Sequence, residues 1–199
     1  KITEADILSS VEKAVESRTN SLKLYFMIGL PTETQLDLDA IVDLSFKIGQ
    51  ILRRNPRTKC TINVSNFVPK PHTPFQWARQ NTIEELRLKQ DHLRKNIRGK
   101  QLSLKCHDPE ISILEGIFAR GDEKLAEVLR LAVAKGARFD AWSEHYKPAA
   151  WSAAFKEAGV DLNYYLRERA LEEALPWDQI LTGVPKESLL KEYQKAQLV

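Results

Sequence analysis

The stretch Lys23-Leu24-Tyr25-Phe26-Met27-Ile28-Gly29-Leu30-Pro31-Thr32-Glu33-Thr34 constrains the fold more than any other. Its apolar run stops at Gly29 and Pro31, two strong breakers of regular structure. A short apolar run bounded in this way predicts a strand buried on both faces. Leu36, Leu38, Ile41, Val42, Leu44, Ile48, Ile51 and Leu52 then recur at helical spacing. Thr32 or Thr34 is placed to cap that helix, and Gln35, three residues after Thr32, matches a capping box. Strand, tight turn and helix make half of a βαβ unit. Ligands of α/β sheets and barrels bind where strands end and helices begin, so this turn is the first candidate site.

The flanking segments fit the same scheme. Residues 3–18 read as a helix, with Ile7, Leu8, Val11, Ala14 and Val15 on one face and Thr3 with Asp6 as its cap. Lys59 to Val68 reads as a second strand with clean alternation: Cys60, Ile62 and Val64 on one side, Thr61, Asn63 and Ser65 on the other. Burying the polar side without partners is costly. It is either the wet face of an edge strand or the lining of a polar cavity that includes Asn63 and Ser65. A charged helix over 82–98 leads to a third short strand over 102–107. This alternation predicts a parallel sheet with right-handed crossovers. After Glu110 the pattern turns helical, with segments over 111–119, 122–135, 148–158, 162–167 and 185–198.

Pro69, Pro71 and Pro74 fall within six residues, in Val68-Pro69-Lys70-Pro71-His72-Thr73-Pro74-Phe75-Gln76-Trp77. Each fixes φ and removes a donor, so a stiff loop anchored by Phe75 and Trp77 is expected. Lys70 and His72 stand on it, either as parts of a rigid crossover or as contacts to a ligand. The formal net charge of +3 is too small to argue for nucleic acid. The basic clusters Arg53-Arg54 and Arg94 to Lys100 lie at predicted helix ends, where the helix dipole favours cations. No run approaches the ~20 apolar residues that span a bilayer. Without a signal-peptide pattern at the start, a cytoplasmic location and free, buried Cys60 and Cys106 are expected. The chain starts without Met and inside a predicted helix, as an excised fragment would.

Three pieces together resemble the radical S-adenosylmethionine superfamily. More narrowly, they resemble the late part of the radical domain in bacterial proteins that also carry a cobalamin-binding domain. Lys23 to Thr34 looks like the fifth barrel strand and its loop. Asn63-Val64-Ser65-Asn66-Phe67-Val68-Pro69-Lys70-Pro71-His72-Thr73-Pro74-Phe75 looks like the sixth strand and its exit loop. Ala119-Arg120-Gly121-Asp122, the run from Arg138 to His145, and Pro176-Trp177-Asp178 resemble a helical extension. The resemblance implies an α/β fold: the C-terminal part of a partial (β/α)6 TIM-like barrel over 1–108, then a mostly helical extension over 109–199. It implies a parent enzyme whose four-iron (4Fe-4S) cluster cleaves S-adenosylmethionine reductively to a 5′-deoxyadenosyl radical, with cobalamin as a further cofactor to consider. Met27, Ile28, Gly29, Leu30, Pro31 and Glu33 would lie on the cofactor side. Lys23, Tyr25, Asn63, Ser65, Lys70, His72, Glu144 and His145 would be lumen or substrate candidates.

The departure from the pattern is as informative. No Cys-x-x-x-Cys-x-x-Cys run exists here, and two cysteines cannot supply a cluster site. The chain is therefore expected to be one inactive wall of a pocket whose cluster loop lies upstream in the same protein, its principal partner. An open sheet edge would let such a piece form homodimers. A different reading is a non-enzymatic RNA- or protein-binding module built on the helical tail and its aromatic loops. A hydrolase using Glu144 and His145 is disfavoured, because adjacent loop residues diverge and no nucleophile accompanies them.

Overall fold

The computed structural model describes residues 2–140 and 142–198. Two compact units emerge: Lys1–Asn66 with Glu84–His107, and Phe67–Ile83 with Asp108–Val199. The proline-rich loop thus clusters with the helical half of the chain, not with the strand that precedes it.

In the first unit, β1 (Ser21–Ile28), β2 (Lys59–Asn66) and β3 (Leu102–Cys106) form a parallel sheet in the order β1-β2-β3. The helices α1 (Glu4–Glu16), α2 (Gln35–Leu52) and α3 (Ile83–Asn96) precede the three strands in turn. Val11 and Val15 of α1, Leu38, Leu44, Ile48 and Leu52 of α2, and Leu93 of α3 share one core with Cys60, Ile62 and Val64 of β2. Leu22, Leu24 and Phe26 of β1 and Leu102, Leu104 and Cys106 of β3 pack against the same core. All three helices therefore cover one sheet face. Ile62 is wholly buried at the centre of it, and its truncation to Ala would cost about 3 kcal/mol.

β1 corrects the expectation of a strand buried on both faces. Its burial alternates, with Ser21, Lys23, Tyr25 and Met27 exposed. The reason is tertiary: within this unit α1, α2 and α3 all pack on one side of the sheet. Of the two candidate caps of α2, Thr34 is the N-cap, and Asp37 rather than Gln35 completes the capping box. The Asp37 carboxylate accepts the Thr34 N–H at 2.7 Å and its hydroxyl at 2.8 Å, which holds that carboxyl below the usual range. Thr3 and Asp6 form the expected capping box of α1. The far end of α2 is closed by Gln101, whose amide donates to the Leu52 and Thr58 carbonyls at 2.9 and 2.8 Å.

The second unit contains α4 (Pro109–Ala119), α5 (Leu125–Ala134), α6 (Pro148–Glu157), α7 (Leu162–Leu166) and α8 (Lys186–Gln197). Its apolar core joins Ile113 and Ile117 to Val128, Leu131, Trp151 and Phe155. The proline-rich loop carries one turn of 3-10 helix, Pro74–Trp77. Its anchors act as expected: Trp77 is buried, with its ring 5.8 Å from Tyr193, and Phe75 meets Phe67 edge-on at 5.6 Å. Gln76 accepts the Trp177 indole N–H at 2.7 Å and the His72 backbone N–H at 3.1 Å. No helix among the described residues is long and apolar enough to cross a membrane.

Candidate functional site

The strand register sets the geometry of the uncovered sheet face. In parallel strands, paired residues point to the same side. Lys23 pairs with Thr61, Tyr25 with Asn63 and Met27 with Ser65. Thr61 pairs in turn with Ser103, and Asn63 with Lys105. The face opposite the helices therefore presents Lys23, Tyr25, Asn63 and Ser65, the lumen candidates of the barrel strands, as one contiguous surface. Tyr25 is 74% exposed and Met27 46%. Asn63 donates to the Leu24 carbonyl at 3.3 Å, and Ser65 to the Phe26 carbonyl at 3.2 Å. Both side chains thus lie back across the β1 main chain. The Ser103 hydroxyl donates to that of Thr61 at 3.1 Å.

At the end of β1 the chain turns through Gly29, whose φ of 86° lies in the left-handed region that glycine tolerates. The turn is pinned by Glu33. One of its oxygens accepts the Gly29 N–H at 2.8 Å, and the other accepts Lys89 Nζ of α3 at 2.6 Å. The Glu33 side chain is only 5% exposed, and that of Lys89 is 23%. Ile28 and Gly29 are buried, while Leu30 and Pro31 are partly open beside them. The carboxylate that the resemblance puts on the cofactor side is thus already committed to the loop itself and to Lys89. Its role here is to hold the β1 exit in one conformation.

The remaining candidates lie in the other unit. Lys70 donates to Glu115 of α4. His72 sits at a φ of 56° and lines a groove of about 500 Å³ with Gln76, Asp178, Lys186 and the 180–185 loop. Asp178 accepts Lys186 at 2.7 Å and the Leu175 N–H at 2.9 Å. Glu144 and His145 are exposed. The His145 ring stands 6.1 Å from Phe139, and the Ser143 hydroxyl donates to the Glu144 carboxylate at 3.5 Å. Among the described residues, nothing arranges the two as an acid–base pair. Within the run from Arg138 to His145, Ala141 lies outside the described residues.

Neither cysteine is disposed to hold a metal. Cys60 and Cys106 are free thiols on the helix-covered side of the sheet, away from the polar face. Burial pushes the Cys60 thiol up to about 11, and that of Cys106 is raised by the same cause. A four-iron cluster needs more thiolates than two cysteines supply, so this chain's residues do not fit one. No group of three or more metal-ligating side chains occurs among the described residues.

Three participants escaped the sequence reading. Lys89 pins Glu33 from 56 residues away, and no local pattern could have marked it. Lys105 and Ser103 join the polar face, and the alternation Leu102-Ser103-Leu104-Lys105-Cys106 carried that signal.

No family model matches this chain. No solved structure matches it either. Over 128 residues it is 30% identical to an uncharacterized protein of Methanocaldococcus jannaschii. That alignment covers 64% of this chain and 27% of the archaeal protein. The chain thus spans about a quarter of the relative it matches.

Proposed function

We propose that this chain is one wall of a larger (β/α) barrel in a radical S-adenosylmethionine enzyme, with the bare polar sheet face turned toward the barrel lumen. The observation that carries this reading is the one-sided sheet. Three sequential parallel strands have all three of their helices on one face and polar residues at alternate positions on the other. Successive strands of a (β/α) barrel lie side by side in chain order with their helices outside, whereas doubly wound sheets carry helices on both faces. The second support is the β1 exit turn, fixed by Gly29 and Glu33 at the strand end where such barrels bind ligands.

In this reading Met27 to Pro31 form the cofactor-side lip and Tyr25, Asn63 and Ser65 face the substrate. The cluster, S-adenosylmethionine and, where used, cobalamin depend on upstream parts of the same protein, in the cytoplasm. The chain by itself is inactive. If β1 and β2 are the fifth and sixth barrel strands, β3 adds a further parallel strand to the partial (β/α)6 barrel. The deciding test is the sequence upstream of Lys1 in the intact protein. A Cys-x-x-x-Cys-x-x-Cys run ahead of four βα repeats is expected, and its absence overturns the enzyme reading.

A further inference from the structure

The bare sheet face has a charge composition of its own. It presents Lys23, Lys59 and Lys105, and no carboxylate. Elsewhere in this unit Lys47 meets Glu4, Arg54 meets Glu12, Lys89 meets Glu33, and Arg94 meets Asp91, while Lys13, Arg53, Arg57, Lys95 and Lys100 form no ion pair among the described residues. Among the described residues, neither Lys23 nor Lys105 forms a side-chain hydrogen bond or ion pair. Lys23 heads the row Lys23–Thr61–Ser103, and Lys105 ends the next row, Tyr25–Asn63–Lys105. Two strand spacings and one two-residue step put their Cα atoms about 12 Å apart. Two flexible four-carbon stems close that gap over Thr61 and Asn63.

We infer that this face holds a phosphate group of a small-molecule substrate, clamped by Lys23 and Lys105 over the Thr61 hydroxyl, which the Ser103 hydroxyl orients. The inference rests on the barrel reading, in which the face is enclosed. Two ammonium groups enclosed without a counter-charge would be strongly disfavoured, so an anion is required there. A phosphomonoester carries close to two negative charges at neutral pH and has three acceptor oxygens. It matches two ammoniums together with the Thr61 hydroxyl between them, whereas a single carboxylate leaves one ammonium unbalanced. Tyr25, exposed in the same row as Lys105, offers a ring surface to whatever bears the phosphate.

The test is a titration of the intact protein, isotope-labelled, with inorganic phosphate at constant ionic strength, followed by amide NMR. Saturable shifts at Thr61, Asn63 and Lys105 are expected. Affinity should fall about tenfold in Lys105→Gln and in Lys23→Gln, as loss of one charge-assisted contact predicts. Lys100→Gln, remote on the basic groove of Arg53 and Arg98, should change nothing. Acetate should bind at least about tenfold more weakly than phosphate, which loss of one matched charge predicts. Shifts confined to the Arg53–Arg98 groove, equal binding of acetate, or tighter binding of a short RNA that displaces phosphate would each overturn the inference. The two readings fail separately. Phosphate binding here without an upstream three-cysteine run sinks the enzyme reading and keeps the subsite, and the converse result sinks only the subsite.

Discussion

The Glu33 carboxylate bridges the Gly29 N–H, at 2.8 Å, and Lys89 Nζ, at 2.6 Å, tying the end of β1 to α3. It is a buried acid whose partners are a main-chain donor and a cation from 56 residues along the chain. Removing it leaves both unpaired. Glu33→Ala should destabilise by about 2 kcal/mol, a figure kept below that for a fully buried pair because Lys89 still reaches solvent. Glu33→Gln retains an acceptor for Gly29 and should cost about half as much. Denaturant midpoints of the two variants check the order. Equal losses would mean that the Lys89 pair alone matters.

Gly116, in the middle of α4, separates propensity from packing. On helix propensity alone, Gly→Ala should stabilise by about 1 kcal/mol. A Cβ at Gly116 would stand 1.7 Å from Gln80 Oε1. Gln80 is buried and donates to the Ser112 carbonyl at 2.7 Å. The clash should win, and Gly116→Ala should lower stability by roughly 2 kcal/mol. A thermal melt that rises instead would show that Gln80 has somewhere else to go.

Arg120 is wholly buried and donates to the carbonyls of Ala78 and Arg167, both at 3.0 Å. Burial, with Arg169 and Arg167 nearby, lowers its pKa to about 10, which leaves it charged at neutral pH. The fork geometry is what a lysine cannot copy. Arg120→Lys should therefore cost about 2 kcal/mol and Arg120→Ala about 3 kcal/mol or more, read from denaturant unfolding.

Alkaline pH should weaken the fold in a defined window. Burial raises the Cys60 thiol from 9.0 to about 11 and the Tyr146 phenol from 10.0 to about 12. For both acids the folded state holds its proton longer than the unfolded chain does. Their share of stability is complete below pH 9 and is lost as pH rises from 9 to 12. The Cys60 part alone is on the order of 2 kcal/mol by pH 11. Unfolding free energies flat across that window would contradict this. In the native chain at pH 8, Cys60 should resist thiol reagents until the protein unfolds.

Anaerobic incubation with iron and sulfide should leave the isolated chain without the absorbance of an iron–sulfur cluster, because Cys60 and Cys106 are set into the helix-covered side of the sheet. A stable cluster spectrum, lost on Cys60→Ser or Cys106→Ser, would show that the described core opens to make a site.

By itself the sequence determined the local elements. Apolar spacing placed α1, α2 and the three strands, since period-2 and period-3.6 patterns follow from backbone geometry. Alternation in β2 also marked Asn63 and Ser65 as a polar face. Only the tertiary structure decided what depends on contacts between distant residues. The β1 run reads as buried on both sides, but its second face is bare, because burial depends on which side the helices cover. Of the two candidate caps, Thr34 closes α2, and Asp37 accepts both its N–H and its hydroxyl. The resemblance put Glu33 on the cofactor side, whereas the fold pairs it with Lys89 of α3, and Lys105 joined the polar face only when β3 docked in register with Asn63. Such pairings are set by chain crossings of tens of residues, over which no local sequence period carries information.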